Sequence, residues 1–295
     1  MKIDFRSFAQ GIAEENGLES LEPVIEKEIV HYEILQSLST HGLLDRMTFQ
    51  GDTCLRLCYG SQRYSEDLDF TAGSSFDTLD LDAFGKALRG DLMKAYDVSV
   101  RVRDPKTVKE LVGVGMRRWT IVVDTAAERP DLPSQRIKLE IASVPSYTSD
   151  VRQIRSNYPG LPASYGQTLV RCQTPEEIMA DKLVSFANTK EHIRYRDMWD
   201  IPWLAALPEF DEAAVAELVE RKHKDYGCSL PLMNLLTLGQ ERAENEIESI
   251  RFINQMRRFL PSPTFDRTIA VRDYRMAMLD RICRAYRNTA DRHSS

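Results

Sequence analysis

The chain changes its hydrophobic period near residue 165, and that change restricts the folds open to it. Upstream, short stretches alternate polar and apolar residues as half-buried strands do: MTFQGD, RYSEDLDFTA, YDVSVRVRD, RRWTIVVDT and RIKLEIAS. Turn-rich pieces such as RPDLPSQ lie between them. Two longer helices are expected among these strands, one within 20–45 with Gly42 as its C-cap and one in LDLDAFGKALRGDLM. TCLRLCYG reads as a short helix from Thr53 to Gly60. Downstream, after one last strand candidate in QTLVRCQT, helical spacing takes over. It runs through TPEEIMADKLVSFANTK, RYRDMWDIPWLAAL, DEAAVAELVERKHKDYG, GQERAENEIESIRFINQMRRFL and RTIAVRDYRMAMLDRICRAYRNTA. Thr174 and Pro175 suit the N-cap and first position of the first of these helices. Strands followed by helices predict an α+β protein, with a mixed sheet and flanking helices over 1–165 and a helical domain over 166–295.

Several classes are excluded. No apolar run approaches the roughly 20 residues of a membrane span. The N-terminal MKIDFRSFAQGIAEENG lacks an apolar core and is not expected to be a signal peptide. Cys54, Cys58, Cys172, Cys228 and Cys283 form no C-x-x-C pair and stand apart from the histidines, so reduced thiols, a cytoplasmic setting and no zinc site are expected. Net charge is −6, yet 249–295 hold ten Arg and four Asp, +6, against −12 for the rest. Such a segment suits contacts with phosphates, or simply a helix pair with arginines on its wet face.

YGSQRYSEDLDF carries the first chemical signal. In a strand Asp67 and Asp69 point to one face, a few ångströms apart. Two ionised carboxylates that close repel each other, and a divalent cation is the simplest remedy. Mg²⁺ takes hard oxygen ligands together with substrate phosphates. Two surface aspartates on an edge strand have the same spacing. Gly51 opens a turn upstream, where backbone N–H groups can approach a phosphate. Glu140 lies between Leu139 and Ile141, and an acid in an apolar strand calls for a partner or a metal. If its strand neighbours that of Asp67 and Asp69, three carboxylates converge, an arrangement that serves phosphoryl and nucleotidyl transfer.

Phe49 and Gly51, then Asp67-Leu68-Asp69, then Leu139-Glu140-Ile141 resemble the polymerase-beta type of nucleotidyltransferase. FQGDTCLRLCYGSQRYSEDLDF resembles more specifically the AbiEii/AbiGii toxin family of that fold. IEKEIV upstream and EEIMADKLVSFANTKEHIRYRDMWDI downstream are similar to further elements of the family, in the same order. The resemblance implies a nucleotidyltransferase-type sheet and a metal, Mg²⁺ or Mn²⁺, on Asp67, Asp69 and Glu140. It implies an NTP donor held by Gly51, Ser61, Arg63, Ser65, Lys182 and Arg196. Lys182 and Asp197 or Asp200 join the acids as catalytic residues, Lys182 on the triphosphate and Asp197 as base or anchor. The family's second turn glycine is Asp52 here, which would repel a triphosphate; Gly60-Ser61 would then supply backbone donors instead. Lys138 shares a face with Glu140, and Trp119, Tyr64 and Tyr195 are stacking candidates whose alternative is the core.

The activity so implied transfers NMP to an acceptor hydroxyl, with tRNA at its 3′ end as the acceptor. Blocked translation, a toxin–antitoxin or phage-defence role and a separately encoded antitoxin follow from the same resemblance. A protein or small-molecule acceptor such as an aminoglycoside is the rival enzyme reading, and a non-catalytic binding module on this fold is the rival of another class. Without the resemblance, Lys182 with Asp197 and Asp200 reads first as a salt-bridge network between helices.

Overall fold

The computed structural model describes residues 4–90, 92, 94, 96, 98–111, 114–125, 134–189 and 192–294. The RPDLPSQ turn falls mostly outside the described residues. Two compact units emerge, Met1–Glu110 with Gly115–Cys172, and a second made mainly of Gln173–Ser295.

The first unit holds a seven-stranded mixed sheet of order β3-β4-β5-β2-β1-β7-β6. The strands are β1 (Thr48–Gln50), β2 (Leu68–Thr71), β3 (Ser99–Leu111), β4 (Val114–Asp124), β5 (Gln135–Ala142), β6 (Ser149–Gln153) and β7 (Leu169–Gln173). β2 runs antiparallel to β1 and parallel to β5, and β4 antiparallel to β5. Strand alternation sorts the side chains. Ile137, Leu139 and Ile141 of β5, Leu68 and Phe70 of β2 and Trp119, Ile121 and Val123 of β4 are buried. Each such side chain contributes about 1.5–3 kcal/mol of burial. Phe49 stacks on Phe70 at 5.0 Å, and Trp119 on Phe84 at 5.3 Å. Helices α1 (Phe5–Glu15), α2 (Glu22–Thr40) and α4 (Leu81–Gly90) pack together, and α2 also packs on β5. The alternate residues, Asp69, Lys138 and Glu140 among them, therefore face away from that core.

Between β1 and β2 the chain forms α3 (Gly51–Cys54), a π-helical turn over Leu55–Tyr59, and a loop entered through Gly60 in the left-handed region. β2 is shorter than the alternation of RYSEDLDFTA suggests: residues 63–67 are loop because their backbone is held by side chains rather than by a strand. α1 and β6 are absent from the sequence reading; β6 has no buried residue and so no apolar alternation to reveal it.

The second unit contains α5 (Pro175–Asn188), α6 (Tyr195–Leu204), α7 (Glu212–Asp225), α8 (Leu232–Glu246), α9 (Ile250–Arg257), α10 (Ser262–Arg267) and α11 (Arg272–Ser294). The single helix expected over 239–260 is two, because the Ser249 side chain accepts the Phe252 N–H and starts α9 anew. α5 packs on α6, α7 and α8, and α11 on α6, α7 and α8. No helix among the described residues is long and apolar enough to cross a membrane.

Candidate active site

The sheet register lines up polar side chains across four strands. Gln50 of β1 pairs with Asp69 of β2, Asp69 with Glu140 of β5, and Glu140 with Arg118 of β4. Residues in register across neighbouring strands share one face, so this row lies opposite the apolar core. Asp67 stands one residue before β2. Its Oδ1 accepts the Lys138 N–H at 3.2 Å and its Oδ2 lies 3.5 Å from Lys138 Nζ. The Thr53 hydroxyl donates to the Asp67 carbonyl. Asp67 and Glu140 keep side chains 27% and 19% exposed, so both can meet a ligand from solvent.

Gly51 sits against Asp69. Its φ is +76°, and a Cβ there would lie 2.9 Å from Asp69 Oδ2. Only glycine adopts this conformation readily and leaves that oxygen its space. Glu140 is turned aside: Arg118 Nε is 2.5 Å from its Oε1. Asp67, Asp69 and Glu140 do not bring one oxygen each to within 4.8 Å of one another. Asp69 and Glu140 are neighbours along the sheet, and the Arg118 guanidinium holds the Glu140 carboxylate. Hard carboxylate donors at Asp67 and Asp69, with the cleared space at Gly51, fit a divalent cation.

The nucleotide-contact residues expected from the loop are placed differently. Arg63 is 1% exposed; its Nη2 lies 3.0 Å from Asp52 Oδ2 and its Nη1 donates to the Tyr64 carbonyl at 2.9 Å. Asp52 is thus neutralised by Arg63, which answers the repulsion that an acid in the turn raises. Ser61 and Ser65 are 2% and 4% exposed. The N–H groups of Gly60 and Ser61 both go to the Leu55 carbonyl, so they close the π-helical turn and do not serve as phosphate donors. Trp119, Tyr64 and Tyr195 are buried core aromatics, not stacking platforms.

A second layer holds the loop, and the sequence reading missed its roles. Arg56 Nε is 2.8 Å from Glu28 Oε2, its Nη1 donates to the carbonyls of Ser61 and Gln62, and its guanidinium covers the Tyr64 ring at 4.0 Å. Asn157 fixes the other Glu28 oxygen at 2.6 Å. Lys27 pairs with Glu66 at 2.5 Å, and His31 Nε2 is 3.1 Å from the Glu66 carbonyl. Burial holds His31 below its ordinary pKa, so it is neutral and donates this bond. Lys27 and Glu28 lie in IEKEIV and Arg56 in CLRLCYG; these segments were legible as resemblance, not as clamps.

Within the helical unit, Lys182 is 3% exposed. Its Nζ lies 2.8 Å from Asp197 Oδ1 and 2.7 Å from Asp200 Oδ2, and Arg194 Nε is 2.7 Å from Asp197 Oδ2. Arg196 lies over the Phe259 ring at 5.3 Å. Glu177 and Asp181 of α5 pair with Lys222 of α7, at 2.7 Å and 3.3 Å, while Tyr226 donates to Asp181 at 2.6 Å. Burial raises the Asp181 pKa, against the pull of Lys222. Of the ten arginines in 249–295, nine are exposed and Arg275 is buried.

A mixed sheet with a glycine turn after β1, and with Asp67 and Asp69 around the start of β2, is the arrangement of a nucleotidyltransferase-type protein. The model of the AbiEii nucleotidyl transferase toxin, a type IV toxin–antitoxin system family, matches residues 33–271, and the chain belongs to that family. In structure it is similar to MenT4, a nucleotidyltransferase toxin of Mycobacterium tuberculosis H37Rv. The TM-score is 0.61 at 17% identity, over 97% of this chain and 89% of that one, a likeness of fold. JHP933 of Helicobacter pylori aligns at TM-score 0.47 and 20% identity, over 91% of this chain and 92% of that one. No curated protein sequence gives a significant match.

Proposed function

We propose that this toxin transfers a nucleoside monophosphate from an NTP to an acceptor hydroxyl, with the tRNA 3′ end as acceptor and blocked translation as the outcome. The observation that carries this reading is the row of Asp69 and Glu140 in register on the sheet face opposite the apolar core, with Asp67 beside it and Gly51 clearing Asp69 Oδ2. Asp67 and Asp69 would hold Mg²⁺ or Mn²⁺, which offsets charge on the triphosphate when bound. The acceptor oxygen forms a bond to the α-phosphorus, the bond to the β-phosphate oxygen breaks, and pyrophosphate leaves. The hydroxyl proton passes to a carboxylate, and Glu140, beside the two metal-binding acids, is the base proposed. Lys138, at 3.5 Å from Asp67, offsets that carboxylate while the site is empty of phosphate and is a second cation for the triphosphate.

Lys182, Asp197 and Arg196 are proposed to serve the same reaction, as the sequence resemblance implies, and the lysine lies between two buried acids. The exposed arginines of 249–295 suit phosphates of the acceptor RNA, contacting backbone rather than bases. A separately encoded antitoxin opposes the activity in the cytoplasm, and phage defence is the setting proposed. The test incubates the protein with Mg²⁺, total tRNA and each α-labelled NTP at two salt concentrations. Label on tRNA that weakens steeply with salt supports the reading. Label that appears only on protein or a small molecule replaces the acceptor, and no label with any NTP rejects the transfer.

A further inference from the structure

Three thiols meet inside the first unit. Cys54 and Cys58 stand four residues apart across the α3 and π-helical turn, and Cys172 of β7 is in register with Phe49 of β1. All three are free thiols, 0%, 5% and 0% exposed. Their Sγ atoms lie within 4.8 Å of one another. Tyr59 Oη is 3.6 Å from Cys172 Sγ, and the Arg152 guanidinium covers the Tyr59 ring at 4.3 Å. A buried cysteine by itself behaves as a small hydrophobe. Here the sulfurs come from α3, the π-helical turn and β7 to one point, with a phenol and a cation alongside.

The spacing suits a metal. A cation bound to three coplanar thiolates at about 2.3 Å holds the sulfurs about 4 Å apart. Thiolates are soft ligands that select Zn²⁺ or Cu⁺ and discriminate against Mg²⁺ and Ca²⁺. We propose that Cys54, Cys58 and Cys172 form a site for one thiophilic d¹⁰ cation, Zn²⁺ or Cu⁺, distinct from the carboxylate site. Cu⁺ is satisfied by three sulfurs, whereas Zn²⁺ takes a fourth donor, for which Tyr59 Oη is at hand. Three thiol protons are released as three metal–sulfur bonds form, and Arg152 offsets part of the negative charge that results. The bound ion ties β7 to the turn that starts at Gly51, so metal binding and folding of the first unit are linked. The spacing C-x₃-C with a distant third cysteine is not a zinc signature, which is why the sequence pointed to none.

The test uses the full chain, reduced and stripped by chelator, then loaded with Zn²⁺ or, without oxygen, with Cu⁺, and desalted. The expected result is one retained ion per chain with one of the two cations and a Tm that rises with its concentration. Cys172→Ser loses both effects; Cys228→Ser and Cys283→Ser keep them. If Cys172→Ser does not fold, protection from alkylation is read in the wild-type protein. At a urea concentration that exposes these thiols in the stripped protein, the ion should slow labelling of Cys54, Cys58 and Cys172 and leave that of Cys228 unchanged. No retained ion with either metal, retention unchanged in Cys172→Ser, or unshielded thiols would overturn the site. So would a disulfide from Cys172 to Cys54 or Cys58 in protein purified without reductant and refractory to loading after reduction.

Discussion

Replacing Lys182 by Met separates an energetic ion cluster from a decorative one. The Lys182 side chain is 4% exposed, and the acids it joins, Asp197 and Asp200, are 1% and 0% exposed. The substitution keeps the aliphatic stem and most of the volume, so the cavity left is small. What it removes is the cation shared by two buried carboxylates. Arg194 remains at 2.7 Å from Asp197, but its side chain is 48% exposed and its charge is correspondingly screened. Breaking a buried pair on one side costs about 3–5 kcal/mol, far above the ~0–1 kcal/mol of an exposed pair. Urea unfolding followed by tryptophan fluorescence reads this directly, because Trp199 and Trp203 lie in α6 beside the acids while Trp119 lies in the sheet. The expected loss is at least about 3 kcal/mol, about half of it recovered when Asp200→Asn is added. A loss under about 1 kcal/mol at pH 7, with no coupling to Asp200, would refute the reasoning.

Three further outcomes are expected. Gly51→Ala forces a methyl into the left-handed region at about 1–2 kcal/mol and against Asp69 Oδ2; nucleotide transfer should fall roughly 100-fold, as for a misplacement of about 1 Å, and unchanged kinetics would remove Gly51 from the site. Asp52→Gly restores the family's glycine but takes the carboxylate 3.0 Å from buried Arg63; denaturation should show a loss of roughly 3–5 kcal/mol, and a variant that is both as stable and faster would contradict the structural role. His31 is fully buried with its pKa lowered by desolvation, offset in part by the Glu66 carbonyl and the charges of Glu28 and Asp67 and reinforced by Lys27. The neutral ring's contribution is therefore complete above its ordinary 6.5 and is lost as pH falls below that, at up to about 1.4 kcal/mol per unit; comparing wild type with His31→Gln by urea titration at pH 7.5 and 5.5 checks it, and equal slopes would count against it.

Much of the fold was legible because its signals are local. β5 announces itself by Ile137, Leu139 and Ile141 alternating with Lys138 and Glu140, and α5 by Thr174-Pro175 ahead of its apolar stripe. The site was legible only in part. That Asp67 and Asp69 flank Leu68 is a matter of spacing; that Asp69 and Glu140 are lateral neighbours depends on β2 pairing parallel with β5, which no short-range pattern encodes. The ion pairs of Asp52 with Arg63, Glu28 with Arg56 and Glu140 with Arg118 were invisible for the same reason. Arg63 was read as a nucleotide contact and Asp52 as a repulsive charge, whereas the two satisfy one another. The single helix expected over 239–260 failed differently: its apolar spacing is helical on both sides of Ser249, and only the cap geometry interrupts it.

The most direct measurement is transfer of labelled NMP by wild type and by Asp67→Asn, each first shown to have the same fold by circular dichroism. The account predicts Mg²⁺-dependent label on an acceptor with wild type and a loss of at least about 100-fold in the variant, since the amide keeps the shape of Asp67 and removes its charge. Equal labelling by the two proteins, or labelling by wild type undiminished by chelator, would contradict it.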